Sequence, residues 1–188
     1  MKNENIANDE LVRKIIEFRE RMIDLLNKSL DRDQTVDLTI KNSFEGFINE
    51  NDHTAQALVA YLDQCFKNDF KNNSEVEIAE KVDRIIQIFR YLLNKDVFEG
   101  HYKNSFAKRL LDSRRVLEDT EQLVIKKLKE ECGFQFTNKI EVMYKDIKMS
   151  EQQNHEFKRC ASAQSINIEF FVKVLTTGHW PNESRDIQ

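Results

Sequence analysis

Apolar residues recur at helical intervals along most of the chain. Leu11, Val12, Ile15, Ile16, Phe18, Met22, Ile23, Leu25, Leu26 and Leu30 form a broad stripe over residues 10–30, opposed by Arg13, Lys14, Arg19, Glu20 and Lys28. After a polar break at 31–34, Val36, Ile40, Phe44, Phe47 and Ile48 predict a second helix. A third is expected from about Thr54, through Leu58, Tyr61, Leu62, Cys65 and Phe66. Ser74 and Glu77 have the spacing of a capping box, in which each side chain bonds the other's unpaired backbone N–H. Behind it lies the cleanest amphipathic pattern, Ile78, Val82, Ile85, Ile86, Phe89, Leu92 and Leu93, and past a polar step at 94–96 the register continues through Val97, Phe98, Phe106, Leu110 and Leu111. Another helix is predicted over 117–132, with Glu118, Asp119 and Glu121 at its start and Lys126, Lys127 and Lys129 near its end, the order that suits a helix dipole. Gly133 fits the left-handed position that closes a helix. Phe134, Phe136, Ile140, Met143 and Ile147 extend the core, and a second capping-box spacing, Ser150 and Gln153, predicts a short final helix containing Phe157.

The pattern then changes period. Ile166, Ile168, Phe170, Val172 and Val174 fall on every second position, as in a β-strand. A strand cannot satisfy its own backbone groups, and no second strand is predicted beside it. The expected fold is therefore mainly α: a bundle of seven or eight helices with one C-terminal β-strand that lacks in-chain sheet partners. Internal repeats and low-complexity tracts are absent from the sequence.

Composition supports the helical reading. Only four glycines and one proline occur in 188 residues, far below the roughly 7% and 5% of an average protein, which suits long helices joined by short polar turns. A formal charge of −4 gives no general attraction to nucleic acid or anionic lipid. The basic cluster Lys108, Arg109, Arg114 and Arg115 could serve nucleic acid, but it lacks a stacking aromatic platform and reads better as a solvated or protein-docking face. Cys65, Cys132 and Cys160 are odd in number and far apart, as expected for reduced thiols of an intracellular protein. No secretory h-region and no apolar run near the ~20 residues of a bilayer span is present, so no membrane role is expected. Enzymatic signals are weak. His101, His155 and His179 are scattered, no phosphate-binding glycine loop occurs, and no zinc spacing is found, so no cofactor is expected.

Several blocks carry a resemblance. Residues 94–111, NKDVFEGHYKNSFAKRLL, resemble the KDVF…YY…LAKRLL signature of the cullins. Glu121, the run IKKLK at 125–129 and ECGFQFTNK at 131–139 keep the order. Met143, Tyr144, Lys145, Asp146 and Ser150 are similar to the family's MFKD…S, and VLTTGHWP at 174–181 is similar to VLTTGYWP. The match covers roughly residues 36–181. Departures are Gly100 for a larger residue, Thr120 where alanine or serine is usual, Val142 where glycine is common, and Arg114 and Arg115 in a turn that usually contains serine.

The resemblance implies a non-catalytic scaffold. Cullins hold substrate receptors at their N-terminal repeats and a RING-box protein near their C-terminus, and the RING protein brings a ubiquitin-charged E2. By that resemblance residues 1–31 are the end of a cullin-repeat helical region, 32–163 the four-helix-bundle region, and 164–188 the first strand of a truncated α/β subdomain. The strand, with Ile166, Ile168, Phe170, Val172, Val174 and the nearby Trp180, is then the expected contact for the RING protein, whose own strand completes the sheet. Lys67 and Lys71 stand at positions similar to lysines that attract the acidic tail of the E2, with Asp69 between them weakening the field. Substrate receptors would bind through repeats that this chain lacks, nucleic acid and membrane are not expected partners, and the expected location is cytoplasm or nucleus. Two rival readings are a helical interaction module that dimerises through the C-terminal strand, and an enzyme whose Cys or His nucleophile is assembled from distant residues.

Overall fold

A computed structural model describes residues 2–29, 34–50, 53–112, 118–159 and 171–181. They form seven α-helices and one 3-10 turn: α1 (Lys2–Ser29), α2 (Gln34–Ile48), α3 (His53–Lys67), the turn Asp69–Lys71, α4 (Glu75–Phe89), α5 (Lys95–Leu111), α6 (Glu118–Cys132) and α7 (Phe134–Arg159). The mainly helical expectation holds.

Local chemistry accounts for the boundaries. At the start of α4 the Ser74 hydroxyl accepts from the Glu77 amide at 3.4 Å, and the Glu77 carboxylate accepts from the Ser74 amide at 2.8 Å, so the capping box is complete. Gly133 has φ +80°, and its N–H closes the last turn of α6 on the Lys129 carbonyl at 2.8 Å. Between α4 and α5 the chain turns at 90–94, a break clamped by Asn49, whose amide donates to the Tyr91 carbonyl at 2.7 Å and accepts from the Leu93 amide at 2.8 Å. Leu93, expected on the buried stripe, is therefore carried out to solvent.

The second predicted cap fails. Ser150 and Gln153 lie inside α7, which runs for 26 residues without a break. The S-x-x-Q spacing is also simply one turn of helix, and nothing between 134 and 159 breaks the backbone. Ser150 is 1% exposed and donates to the Asp146 carbonyl one turn back at 2.8 Å, so it sits within the helix rather than at its start.

The helix α3 is the centre of the molecule. It packs against α1 on one side and α5 on another, and nine of its 15 residues are buried. Small Ala55 and Ala57 among Leu58, Leu62 and Phe66 let its neighbours approach on more than one face. The core runs from Val12, Ile15 and Ile16 of α1 through α3, α4 and α5 to Val124, Leu128, Ile140 and Met143 of α6 and α7. A column of aromatics on α5 forms its spine: Phe98 stacks on Tyr102 and Tyr102 on Phe106, each with centroids 5.8 Å apart. Gly100, on the outer side of α5, has nothing within 4 Å of where a Cβ would stand, so no close approach requires it.

Of the predicted strand, Ile166, Ile168 and Phe170 lie outside the described residues. Residues 171–176 are described and take no β-strand assignment; among the described residues there is no strand at all. Their backbone is tied instead to α7.

Candidate functional site

The segment 171–181 lies against one face of α7, and every second residue meets a polar side chain one helical turn from the last. The Val172 amide donates to Asn154 Oδ1 at 2.9 Å, and Asn154 Nδ2 returns a bond to the Val172 carbonyl at 2.5 Å. The Val174 amide donates to Ser150 Oγ at 2.8 Å, and the Ser150 hydroxyl lies 3.3 Å from the Val174 carbonyl. The Thr176 amide donates to Asp146 Oδ2 at 2.7 Å and its hydroxyl to Asp146 Oδ1 at 2.7 Å. Trp180 completes the attachment: its indole N–H donates to Asp146 Oδ2 at 2.8 Å while the ring packs against the core.

Burial of Asp146 by itself would raise its carboxyl. The Trp180 indole and the amide and hydroxyl of Thr176 outweigh that and hold it below the usual carboxylate range, with His179 acting in the same sense. Lys173 leaves the segment on the other side and donates to the carbonyls of Leu110 and Leu111, each at 2.9 Å. Those are last-turn carbonyls of α5, which have no partner within the helix and favour a cation. The segment thus joins the C-terminal half of α7 to the end of α5. The side chains of Phe171, Val172, Val174 and Leu175 remain 50%, 38%, 59% and 39% exposed, an apolar surface around an extended backbone.

Two blocks that sequence comparison treats separately, Asp146 with Ser150 and the run 174–181, thus meet in space through these bonds. Trp180, expected at a partner surface, is engaged internally. Asn154 carried no signal in the sequence, where it is one polar residue of a polar helix; only its position two turns beyond Asp146 and one beyond Ser150 could have drawn attention to it.

Of the basic cluster, Lys108 is exposed but Arg109 is turned into the interior. Arg109 is 7% exposed, and its guanidinium grips both oxygens of Glu121, 1% exposed, at 2.6 and 3.1 Å. A third bond reaches Asp63 at 3.0 Å, and the group lies 4.4 Å above the Phe66 ring. Burial pushes the Glu121 carboxyl up, and Arg109 pulls it back; Arg109, opposed by the same burial, stays protonated because Glu121 and Asp63 hold it. The signal was legible: Phe98, Tyr102, Phe106 and Arg109 share one face of α5. Arg114 and Arg115 lie outside the described residues.

Lys67 pairs with Asp63 at 2.6 Å, the carboxylate that also serves Arg109. Lys71 is exposed on the 3-10 turn, and Asp69 between the two lysines is turned to Lys81. The two lysines are close in sequence but not joined in one contact.

Burial pushes the Cys65 thiol up to about 12 and raises that of Cys132 as well, away from the thiolate form that nucleophiles need. Cys160 lies outside the described residues. No group of metal-ligating side chains occurs among the described residues, and no helix there is long and apolar enough to cross a membrane.

Residues 1–154 match the family model described as the cullin alpha solenoid domain. The chain is 36% identical to Cullin-3A of Arabidopsis thaliana over 93% of its own length and 24% of that protein's. It is 36% identical to Cullin-3 of Dictyostelium discoideum over 90% of the chain and 22% of the relative, and 35% identical to Cullin-4 of the same organism over 96% and 23%. The chain therefore spans about a quarter of the length of these curated relatives. With a family model matched over 154 of 188 residues and curated cullins 35–36% identical over 90% or more of the chain, the chain belongs to the cullin family.

Proposed function

We propose that this chain is a scaffold segment of a cullin–RING ubiquitin ligase, holding a RING-box protein and its ubiquitin-charged E2 at a fixed distance from a bound substrate. The family match over residues 1–154 carries the reading. Its mechanism is positional: packed helices transmit geometry and supply no acid, base or metal. In this reading residues 1–31 end a helical repeat, 32–163 form the bundle that opens the C-terminal region, and 164–188 begin an α/β subdomain. The segment from Ile166 to Val174 is the contact for the RING protein, with Ile166, Ile168, Phe170, Val172 and Val174 offered to a composite sheet. The exposed apolar side chains at 171, 172, 174 and 175 support that role, since apolar surface on an extended backbone suits a sheet that another polypeptide would complete. Lys71, with Lys67, would draw the acidic tail of the E2. Substrate receptors would bind elsewhere in the longer protein, and the setting is cytoplasm or nucleus.

A charging assay tests the non-catalytic part. Incubated with E1, E2, ubiquitin and ATP, the chain should acquire no reductant-sensitive ubiquitin adduct, because the Cys65 and Cys132 thiols are held protonated. A thioester on Cys65, Cys132 or Cys160 would overturn the scaffold reading. A pull-down tests the partner: the 188-residue chain should capture RING-box protein weakly, since it holds one strand's worth of the composite sheet, and tight capture would refute that account.

The same exposed apolar residues favour one second reading, dimerisation through the C-terminal segment. Light scattering with and without residues 164–188 separates the two. A dimer that becomes a monomer on truncation supports the second.

A further inference from the structure

Asp146, Ser150 and Asn154 are spaced by four residues, and Thr176, Val174 and Val172 by two, running in the opposite direction. Four residues of helix climb about 6 Å, and two residues of extended chain climb about 6.6 Å. The two spacings nearly coincide, so three successive rungs form without strain before the mismatch accumulates. Each rung offers the acceptor that a neighbouring strand would offer, and the Asn154 rung offers the donor as well. The Asn154 amide is chemically a peptide group, and it both accepts from the Val172 N–H and donates to the Val172 C=O. Its second N–H bonds the Ser150 carbonyl at 2.6 Å, which fixes the side chain in that orientation. Ser150 and Asp146 take the next two amides. All three are buried polar residues, 8%, 1% and 8% exposed, on a helix whose outer face is charged.

We infer that this face of α7 is a surrogate β-strand: Asp146, Ser150 and Asn154 hold residues 172–176 extended, fix their register, and occupy one edge of their backbone. The consequence is directional. In an extended chain successive N–H and C=O groups point to opposite edges, so an incoming extended polypeptide must pair on the edge facing away from α7, that of residues 171, 173 and 175. The three α7 residues are positioning residues, acting through the segment they hold. The identity of the incoming polypeptide rests on the reading above; the ladder does not.

Amide hydrogen exchange on the 188-residue chain, followed by NMR without any partner, tests the ladder. The amides of Val172, Val174 and Thr176 should exchange more slowly than those of Phe171 and Leu175, in alternation along the segment. Asn154→Leu, which keeps the volume and removes both bonds, should speed exchange at Val172 about five- to tenfold. Asn154→Asp keeps the acceptor and should preserve protection of the Val172 amide at neutral pH, which a purely packing role would not predict. Uniform exchange across 171–176 in the parent protein overturns the inference, as does equal loss of Val172 protection in both variants. If Asn154→Leu fails to fold, the parental alternation and the Asn154→Asp arm still decide. Because no partner is present, failure here is distinct from failure to capture a RING-box protein.

Discussion

A buried guanidinium is stable only while all its partners are in place. Arg109 has both oxygens of Glu121, one of Asp63 and a ring beneath it, so removing Arg109 strips Glu121 of its counter-charge, and removing Glu121 leaves the guanidinium only Asp63, in a site nearly closed to water. Removing one partner of such a pair typically costs about 3–5 kcal/mol. Glu121→Ala should therefore lower stability by that order in urea unfolding. Arg109→Lys should also be costly, because an ammonium cannot grip two oxygens and lie flat on Phe66 at once. Replacing both partners, Arg109→Met with Glu121→Leu, should recover much of the loss; a double variant as unstable as the single ones would show that the pair does more than neutralise itself. Position 109 also shows what sequence can and cannot reveal at this scale. The helical register of Phe98, Tyr102 and Phe106 places Arg109 on the buried face, yet identifying Glu121 as its partner requires knowing that α6 passes beside α5.

At the level of elements, the boundaries that depend on local chemistry were legible and those that depend on packing were not. Ser74 with Glu77, and Gly133 after α6, act within a few residues of themselves, and both appear as expected. The Ser150 spacing was misread because the same four residues fit a helix start and a helix middle; what decides is the absence of a break and the burial of that hydroxyl beneath Val174. The turn at 90–94 was missed because its clamp, Asn49, lies more than forty residues away in sequence. Gly100 offers a clean test of element stability. It lies on the outer face of α5 with open space where a Cβ would go, so Gly100→Ala should stabilise the protein by about 1 kcal/mol through helix propensity alone. Thermal unfolding reads this as a rise in Tm. A fall would mean that the family's larger residue at this place is excluded here by something other than space.

For the whole molecule, the C-terminal segment is a clasp between α7 and the end of α5, and its attachment through Asp146 makes it sensitive to acid. The Asp146 carboxyl is held low in the folded protein, so its contribution is complete above the ordinary aspartate value of ~3.9 and is lost as pH falls through the lower native value. Trp180 is the chain's single tryptophan and donates to that carboxylate, so its fluorescence reports the event directly. An acid titration should leave the signal unchanged down to ~4 and shift it below that. Asp146→Asn, which cannot accept all three bonds as an anion does, should show the released signal at neutral pH and no further acid step. A midpoint well above 4 in the parent protein would place the sensitivity on another group.

Sequence by itself determined the helical class, the cullin resemblance and most of the apolar stripes, because those follow from periodicity and from motif order, which are local or nearly so. It also flagged the change of period near the C-terminus and the question of what could pair with it. Only the tertiary structure decided that the described part of that segment is held by a helix instead of a strand. Asp146, Ser150 and Asn154 meet Thr176, Val174 and Val172 because helix and extended chain happen to climb at matching rates over a few residues. No pattern within either segment announces that match. It exists only when α7 and the chain after it lie side by side.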